Sequence, residues 1–143
     1  MEKIKKMRMF LGCLAMGVAF IVVEIILEGL VNVIFKLNER DVLFELYPNI
    51  TLSGTRYHII NFLYLFAFCF LVIWVYALIR ARFGPGAKTA LIAGIIFLIA
   101  NYLFMINNIN MGIFPLKPCL YSAGFSLVEV LVSAVIGAKV YEI

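Results

Sequence analysis

Four long apolar stretches, separated by short polar segments, dominate the pattern along the chain. They cover residues 9–35, 59–79, 89–106 and 120–138. Each is near the ~20 residues that a helix needs to cross a hydrocarbon layer about 30 Å thick. Strands of a membrane barrel would alternate apolar and polar residues with a period of two, and these stretches do not. The pattern predicts an all-α membrane protein, a bundle of four transmembrane helices that forms one domain over residues 1–143.

The polar segment of residues 36–58 is the longest one and is predicted to be an outer loop between helices one and two. Apolar residues recur within it at helical spacing from Val42 to Tyr47, and Pro48 ends the pattern. A segment of this kind predicts a short interfacial helix that lies on the membrane surface.

Lysine and arginine residues are shared unequally between the two sides of this bundle. Eight of the twelve lie near the chain ends or between helices two and three, and the other four lie on the opposite side: Lys36, Arg40, Arg56 and Lys117. Cytoplasmic segments of membrane proteins carry the excess of these residues, so both termini are predicted to be cytoplasmic. The apolar run of residues 9–35 is longer than the roughly 7–15 apolar residues of a signal peptide, and we expect a retained span.

The amino-acid composition supports the membrane interpretation. Hydrophobic residues make up 65% of the chain and charged residues 14%, against about 45–50% apolar residues in an ordinary soluble domain. Lipids are therefore the expected surroundings and bound partners, and no nucleic acid is expected to bind. The cysteines Cys13, Cys69 and Cys119 fall at different depths, so they are expected to stay unpaired, because a disulfide needs Cα atoms within about 7 Å of each other.

The segment between helices two and three combines turn residues with three cations. Gly84-Pro85-Gly86 cannot continue either helix, and it predicts a tight hairpin. Its glycine spacing matches no nucleotide-binding fingerprint. The flanking cations are predicted to contact anionic lipid headgroups: Arg80, Arg82 and Lys88.

Several polar residues lie inside the predicted spans, where an ionisable group costs roughly 2.5–3.5 kcal/mol at the helix centre and usually faces the bundle interior. Glu24 and Glu129 lie at similar depth when the rise is taken as ~1.5 Å per residue. The candidate intramembrane site consists of Glu24, Glu28, Asn32, Asn61, Asn101 and Glu129. It predicts a water-accessible vestibule that opens outwards. The alternative is that these groups hydrogen-bond one another between helices, with the glutamates protonated.

Patterns typical of catalysis and of cofactor binding are missing from the sequence. His58 is the only histidine, which excludes a bis-histidine haem and the paired Glu-x-x-His motifs of a di-iron site. A single axial bond to a porphyrin-type metal stays open. No serine or cysteine has an identifiable base for nucleophilic catalysis. We therefore predict no enzymatic activity, no metal and no cofactor other than bound lipids.

The segment from Tyr76 to Ala90, with the sequence Tyr-Ala-Leu-Ile-Arg-Ala-Arg-Phe-Gly-Pro-Gly-Ala-Lys-Thr-Ala, resembles one in small four-span bacterial inner-membrane proteins. Gly17 followed by Glu24, and Glu129 after a valine, are also similar to those proteins. The resemblance implies the bacterial inner (plasma) membrane and the four-span topology, and it implies no particular reaction.

Two other groups of small membrane proteins are similar in size. Small multidrug transporters resemble the chain in a glutamate embedded in helix one, here Glu24, but they have shorter loops. Membrane glutathione transferases of the four-helix kind carry an arginine- and asparagine-rich motif in the second helix, where this chain has Asn61 alone. We assign the chain to neither group.

Two functions follow from these observations. The first is a non-enzymatic accessory or structural subunit that associates through its helices, as a homo-oligomer or with other subunits of a larger membrane complex. The alternative is a small transporter or channel in which Glu24 and Glu129 bind a proton, a cation or a cationic solute.

Overall fold

The computed structural model describes residues 6–36, 45, 49 and 54–143 of the chain. These residues form four helices: α1 Lys6–Phe35, α2 Thr55–Phe83, α3 Ala87–Asn110 and α4 Leu116–Glu142. All four are long and apolar enough to cross a membrane, which confirms the prediction of a four-helix membrane fold. The predicted interfacial helix falls almost wholly outside the described residues.

The helices are longer than the apolar stretches from which they were predicted. For example, α2 begins at Thr55 rather than at residue 59 and ends at Phe83 rather than at residue 79. The difference arises because helical hydrogen bonding continues into the polar flanks, which a count of apolar residues leaves out. Helix bounds estimated from hydropathy therefore mark the membrane-crossing part of each helix and not its ends.

The predicted hairpin between α2 and α3 is present. Gly84 ends α2 with a φ of 82°, and its N–H donates to the carbonyl of Arg80 over 2.8 Å. Gly86 precedes α3 with a φ of 128°. Because residues with a side chain rarely adopt a positive φ, glycine at both positions lets the chain reverse within three residues.

The two ends of the bundle are packed very differently. We call the end with residues 84–86 the hairpin end; α1 begins there and α4 finishes there. The opposite end, with the Met111–Pro115 connection, is the open end. The core lies towards the hairpin end and includes Cys13, Met16, Cys69, Val72, Ile73, Tyr76, Ala90, Ala93, Ala134, Ala138 and Tyr141. In α1 beyond Ala19 and in α2 before Cys69, none of the described side chains is buried.

Glycine contacts show the same contrast. α1 packs most extensively against α4, and a Cβ added at Gly137 would lie 2.7 Å from Met16 Cβ and 2.9 Å from the carbonyl oxygen of Gly12. Small residues let membrane helices approach this closely. At Gly29 and Gly124, towards the open end, an added Cβ would meet no heavy atom within 4 Å. The close approach of α1 and α4 at Gly12 and Gly137 thus has no counterpart at Gly29 or Gly124, although α3 and α4 remain in contact through the Tyr102 hydroxyl, which donates to the carbonyl of Ala123 over 2.6 Å.

Candidate functional site

A cavity of about 290 Å³ lies between the four helices on the open-end side of the core. Five polar side chains line it: Glu24, His58, Asn61, Asn101 and Ser126. The rest of the lining is apolar or aromatic: Phe20, Ile21, Phe62, Tyr64, Leu65, Phe68 and Val130. Every helix contributes at least one residue, so the cavity exists only in the assembled bundle.

Helical spacing explains how each helix brings its residues to the cavity. On α2, His58, Asn61 and Leu65 are three and four residues apart, which puts them on one face of the helix. On α4, Ser126 and Val130 are four apart and share a face in the same way. One face of each helix therefore points into the same space.

The packed core closes the cavity on its hairpin side. Met16 and Cys69 are fully buried there. Above them the ring of Phe68 forms edge-on contacts with Phe20, at a centroid distance of 6.4 Å, and with Phe97, at 5.8 Å. The cavity is therefore a pocket with an apolar floor.

Three of the six predicted intramembrane site residues meet at this cavity. They are Glu24, Asn61 and Asn101, one from each of α1, α2 and α3. Glu28 and Asn32, on the same stripe of α1 as Glu24, are exposed and lie outside the lining. Of these three α1 residues, only Glu24 lines the cavity.

The sixth residue, Glu129, is at a similar depth to Glu24 but does not line the cavity. Gly137 packs between Gly12 and Met16, so in this antiparallel pair of helices Glu129, eight residues before Gly137, is level with about residue 22 of α1. The axial offset from Glu24 is then about 3 Å at a rise of ~1.5 Å per residue. Glu129 is only 8% exposed and lies outside the cavity lining.

His58 and Ser126 line the cavity although they were not among the six predicted site residues. His58 precedes the apolar stretch that starts at residue 59, so the hydropathy pattern assigns it to a loop. The helix in fact begins at Thr55 and carries His58 onto the face of Asn61. The spacing of three residues between His58 and Asn61 was the available signal.

The polar groups of the cavity are one carboxylate, one imidazole, two amides and the hydroxyls of Tyr64 and Ser126. Within residues 6–36, 45, 49 and 54–143, no three His, Cys, Asp or Glu side chains are grouped as ligands of a metal ion. Such a set is suited to hydrogen bonding and to one ion pair, in surroundings that the aromatic side chains keep apolar.

A second polar cluster, which the sequence pattern did not predict, lies at the hairpin end. The Tyr76 hydroxyl donates to Glu142 Oε1 over 2.5 Å, and Arg80 Nη2 lies 3.1 Å from Glu142 Oε2. The N–H of Gly86 donates to the Tyr76 hydroxyl over 3.2 Å, and the Arg80 guanidinium stands 5.4 Å from the centroid of the Tyr141 ring. The cluster ties the end of α4 to α2 and to the hairpin.

Because of this cluster, the three cations that were predicted to contact lipid headgroups differ in their surroundings. Arg80 is engaged with Glu142, and its side chain is 18% exposed. Arg82 and Lys88 are exposed on the same hairpin. A headgroup site at the hairpin end would therefore depend on Arg82 and Lys88 more than on Arg80.

Comparisons with known proteins provide no identification. No protein-family model, no curated protein and no solved structure matches the chain. The resemblance to small four-span inner-membrane proteins therefore stays a prediction, and the argument for function depends on the cavity and its side chains.

Proposed function

We propose that the chain is an integral membrane protein without catalytic activity that binds a small cationic solute in the cavity, as a small transporter or channel does. The observation that carries this proposal is the meeting of Glu24 with Asn61 and Asn101 in one pocket between the helices. A carboxyl group within a membrane span is costly, at roughly 2.5–3.5 kcal/mol near the helix centre, and such groups commonly mark solute or ion pathways.

The electrostatics of the pocket support a cation rather than an anion. Among residues 6–36, 45, 49 and 54–143, Glu24 is the only carboxylate in the lining, and no lysine or arginine contributes to it. Attraction between unit charges grows as the effective dielectric constant falls, so a carboxylate beside Phe20 and Phe62 attracts a cation more strongly than it would in water. The amides and the hydroxyl supply oxygen acceptors for the same ligand.

The proposed location is a bacterial inner membrane, with the hairpin end and both termini at the cytoplasmic side. Its support is the excess of Lys and Arg near the termini and the hairpin, eight against four. The cavity would then open away from the cytoplasm. Cysteine reporters at Ile143 and Met111, both exposed, test this orientation better than the native cysteines, which are buried. In intact cells, an impermeant thiol reagent should label Met111→Cys and spare Ile143→Cys; the opposite pattern would reverse the orientation.

The binding proposal is tested by the charge preference of a thiol placed in the cavity. Ser126→Cys protein in vesicles is treated with 2-(trimethylammonium)ethyl methanethiosulfonate or with the anionic 2-sulfonatoethyl reagent. Asn110→Cys, exposed at the open end, gives the ratio of rates outside the cavity. The wild-type chain gives the background rate.

We expect the cation-to-anion rate ratio at Ser126→Cys to exceed that at Asn110→Cys by at least about tenfold. The reason is that one charge pair at an effective dielectric constant near 20 is worth a few kcal/mol. Adding Glu24→Gln should bring the two ratios together. Equal ratios with Glu24 intact, or a preference for the anionic reagent, would refute cation binding in the cavity.

Helix association is the second candidate function, and a separate observation favours it. Glu28 and Asn32 are exposed on α1, outside the cavity. Polar side chains on that face could hydrogen-bond to another copy of the chain or to a subunit of a larger complex, at about 0.6 kcal/mol each. Native mass spectrometry from mild detergent tests the idea. Glu28→Gln with Asn32→Leu should reduce the oligomer or complex, and an unchanged distribution would remove this candidate.

A further inference from the structure

We infer that the preferred ligand of the cavity is a primary ammonium ion on a small apolar body, rather than an inorganic cation or a quaternary ammonium. This inference rests on the proposed function and names the class of solute. It follows from three properties of the lining: its charge, its hydrogen-bond acceptors and its aromatic surface.

The charge of the lining fits one positive charge. Glu24 supplies a single carboxylate, whereas calcium takes six to eight oxygen ligands that commonly include several carboxylates. A monovalent metal ion would also have to exchange its water shell for a wall that is mostly apolar. An organic cation carries its apolar part with it, and that part replaces water at the wall favourably.

The acceptors of the lining fit a primary ammonium in particular. Such a group has three N–H donors and no acceptor. The carboxylate of Glu24, the amide oxygens of Asn61 and Asn101 and the hydroxyl of Ser126 are at least three acceptors around one space. A quaternary ammonium has no N–H group and can donate a hydrogen bond to none of them.

The aromatic lining fits a cation with an apolar body. Phe20, Phe62, Tyr64 and Phe68 all contribute to the wall, and aromatic faces attract cations by about 0.5–2 kcal/mol. The volume of about 290 Å³ equals that of about ten water molecules at ~30 Å³ each, which suits a ligand of about ten non-hydrogen atoms. The pocket lies at the small end of ligand sites, roughly 300–1,000 Å³.

The test compound is 2-phenylethylammonium, and its binding to the full chain in lipid nanodiscs is measured by calorimetry, with empty nanodiscs subtracted. Three comparison ligands separate the properties argued above: the N,N,N-trimethyl derivative, 3-phenylpropionate and sodium ion. Glu24→Gln and Phe62→Leu change the cavity. Glu28→Gln, four residues from Glu24 on the same helix and outside the lining, is the matched control.

We expect 2-phenylethylammonium to bind at least about tenfold more tightly than the trimethyl derivative, since a tenfold change corresponds to about 1.4 kcal/mol. Glu24→Gln should weaken binding by about tenfold or more, and Phe62→Leu by about fivefold. Glu28→Gln should change it by less than about twofold. Thermal unfolding of each variant separates loss of the site from loss of the fold.

The remaining outcomes distinguish the ligand class from the proposed function. If sodium or the trimethyl derivative binds more tightly, in a manner that depends on Glu24, the primary-ammonium class is wrong and cation binding stands. Binding of 2-phenylethylammonium that Glu24→Gln leaves unchanged overturns the inference. Tighter binding of 3-phenylpropionate overturns the inference and the proposed function together. If no cation binds, the ligand class fails, and the thiol-modification ratio decides the proposed function independently.

Discussion

Replacing Gly137 with alanine should destabilise the bundle, although alanine is the better helix former. The added Cβ would lie 2.7 Å from Met16 Cβ, 2.9 Å from the carbonyl oxygen of Gly12 and 2.9 Å from Ile73 Cδ1. Carbon atoms in favourable contact are about 3.5–4.0 Å apart. The first two atoms are fixed to the α1 backbone, so α1 must move away from α4.

The expected magnitude follows from two opposing effects. Overpacking of a tight contact costs about 1–3 kcal/mol, and exchanging glycine for alanine within a helix contributes up to about 1 kcal/mol. Gly124→Ala is the matched control, because its Cβ would meet no heavy atom within 4 Å. The helix-forming effect is similar in both variants, so Gly137→Ala should be less stable than Gly124→Ala by about 1–3 kcal/mol.

Unfolding of the purified protein in mixed micelles, titrated with sodium dodecyl sulfate and followed by circular dichroism, measures this difference. A double variant tests the contact itself. Ile73→Val removes Cδ1, which should relieve part of the crowding in Gly137→Ala even though Ile73→Val alone costs about 0.5–1.5 kcal/mol. Equal stability of Gly137→Ala and Gly124→Ala would refute the close α1–α4 contact.

Three further predictions concern the hairpin end. Tyr76→Phe removes a hydroxyl that donates to Glu142. It should lower the free energy of unfolding by about 1.5–3 kcal/mol, because the acceptor is charged. If Tyr76→Phe costs no more stability in the wild type than in a Glu142→Gln background, this hydrogen bond is contradicted. Replacing Arg82 and Lys88, both exposed, with glutamine should weaken binding of phosphatidylglycerol to the protein by about 1 kcal/mol per residue. Native mass spectrometry of the protein in detergent, titrated with this lipid, measures the change, and unchanged lipid binding would exclude the headgroup site. Thr89→Val removes a hydroxyl that donates to the carbonyl of Gly84 over 2.7 Å. It should lower the free energy of unfolding by about 0.5–1.5 kcal/mol in the same unfolding assay, and a stabilised protein would argue against that hydrogen bond.

The sequence predicts the helices well because crossing a membrane needs little beyond about 20 apolar residues in a row. The hairpin was predictable for a local reason too, since Gly84 and Gly86 take positive φ values that other residues avoid. Membrane orientation and the surface helix of the outer loop stay predictions. They depend on the surrounding bilayer or on residues outside the described ranges.

The site was only partly predictable, because helix rotation depends on contacts between distant parts of the chain. Glu24 and Glu129 are equally polar and similarly deep, yet Glu24 lines the cavity, whereas Glu129 is buried and is not part of the lining. The close contact between α1 and α4 joins Gly12 to Gly137. The residues next to each glycine in the sequence do not predict this pairing. Glu142 was missed because it lies beyond the apolar stretch that ends at residue 138.

The position of the buried core towards the hairpin end explains how the chain can keep costly polar groups within its spans. Glu24, Asn61 and Asn101 line the cavity, are exposed and are not part of the buried core. Core packing supplies most of the stability of a helix bundle, since deleting buried groups is what costs several kcal/mol. Substitutions at the three cavity residues should therefore leave folding intact. A loss of binding in Glu24→Gln can then be attributed to the lost charge, which allows the fold and the function to be tested independently.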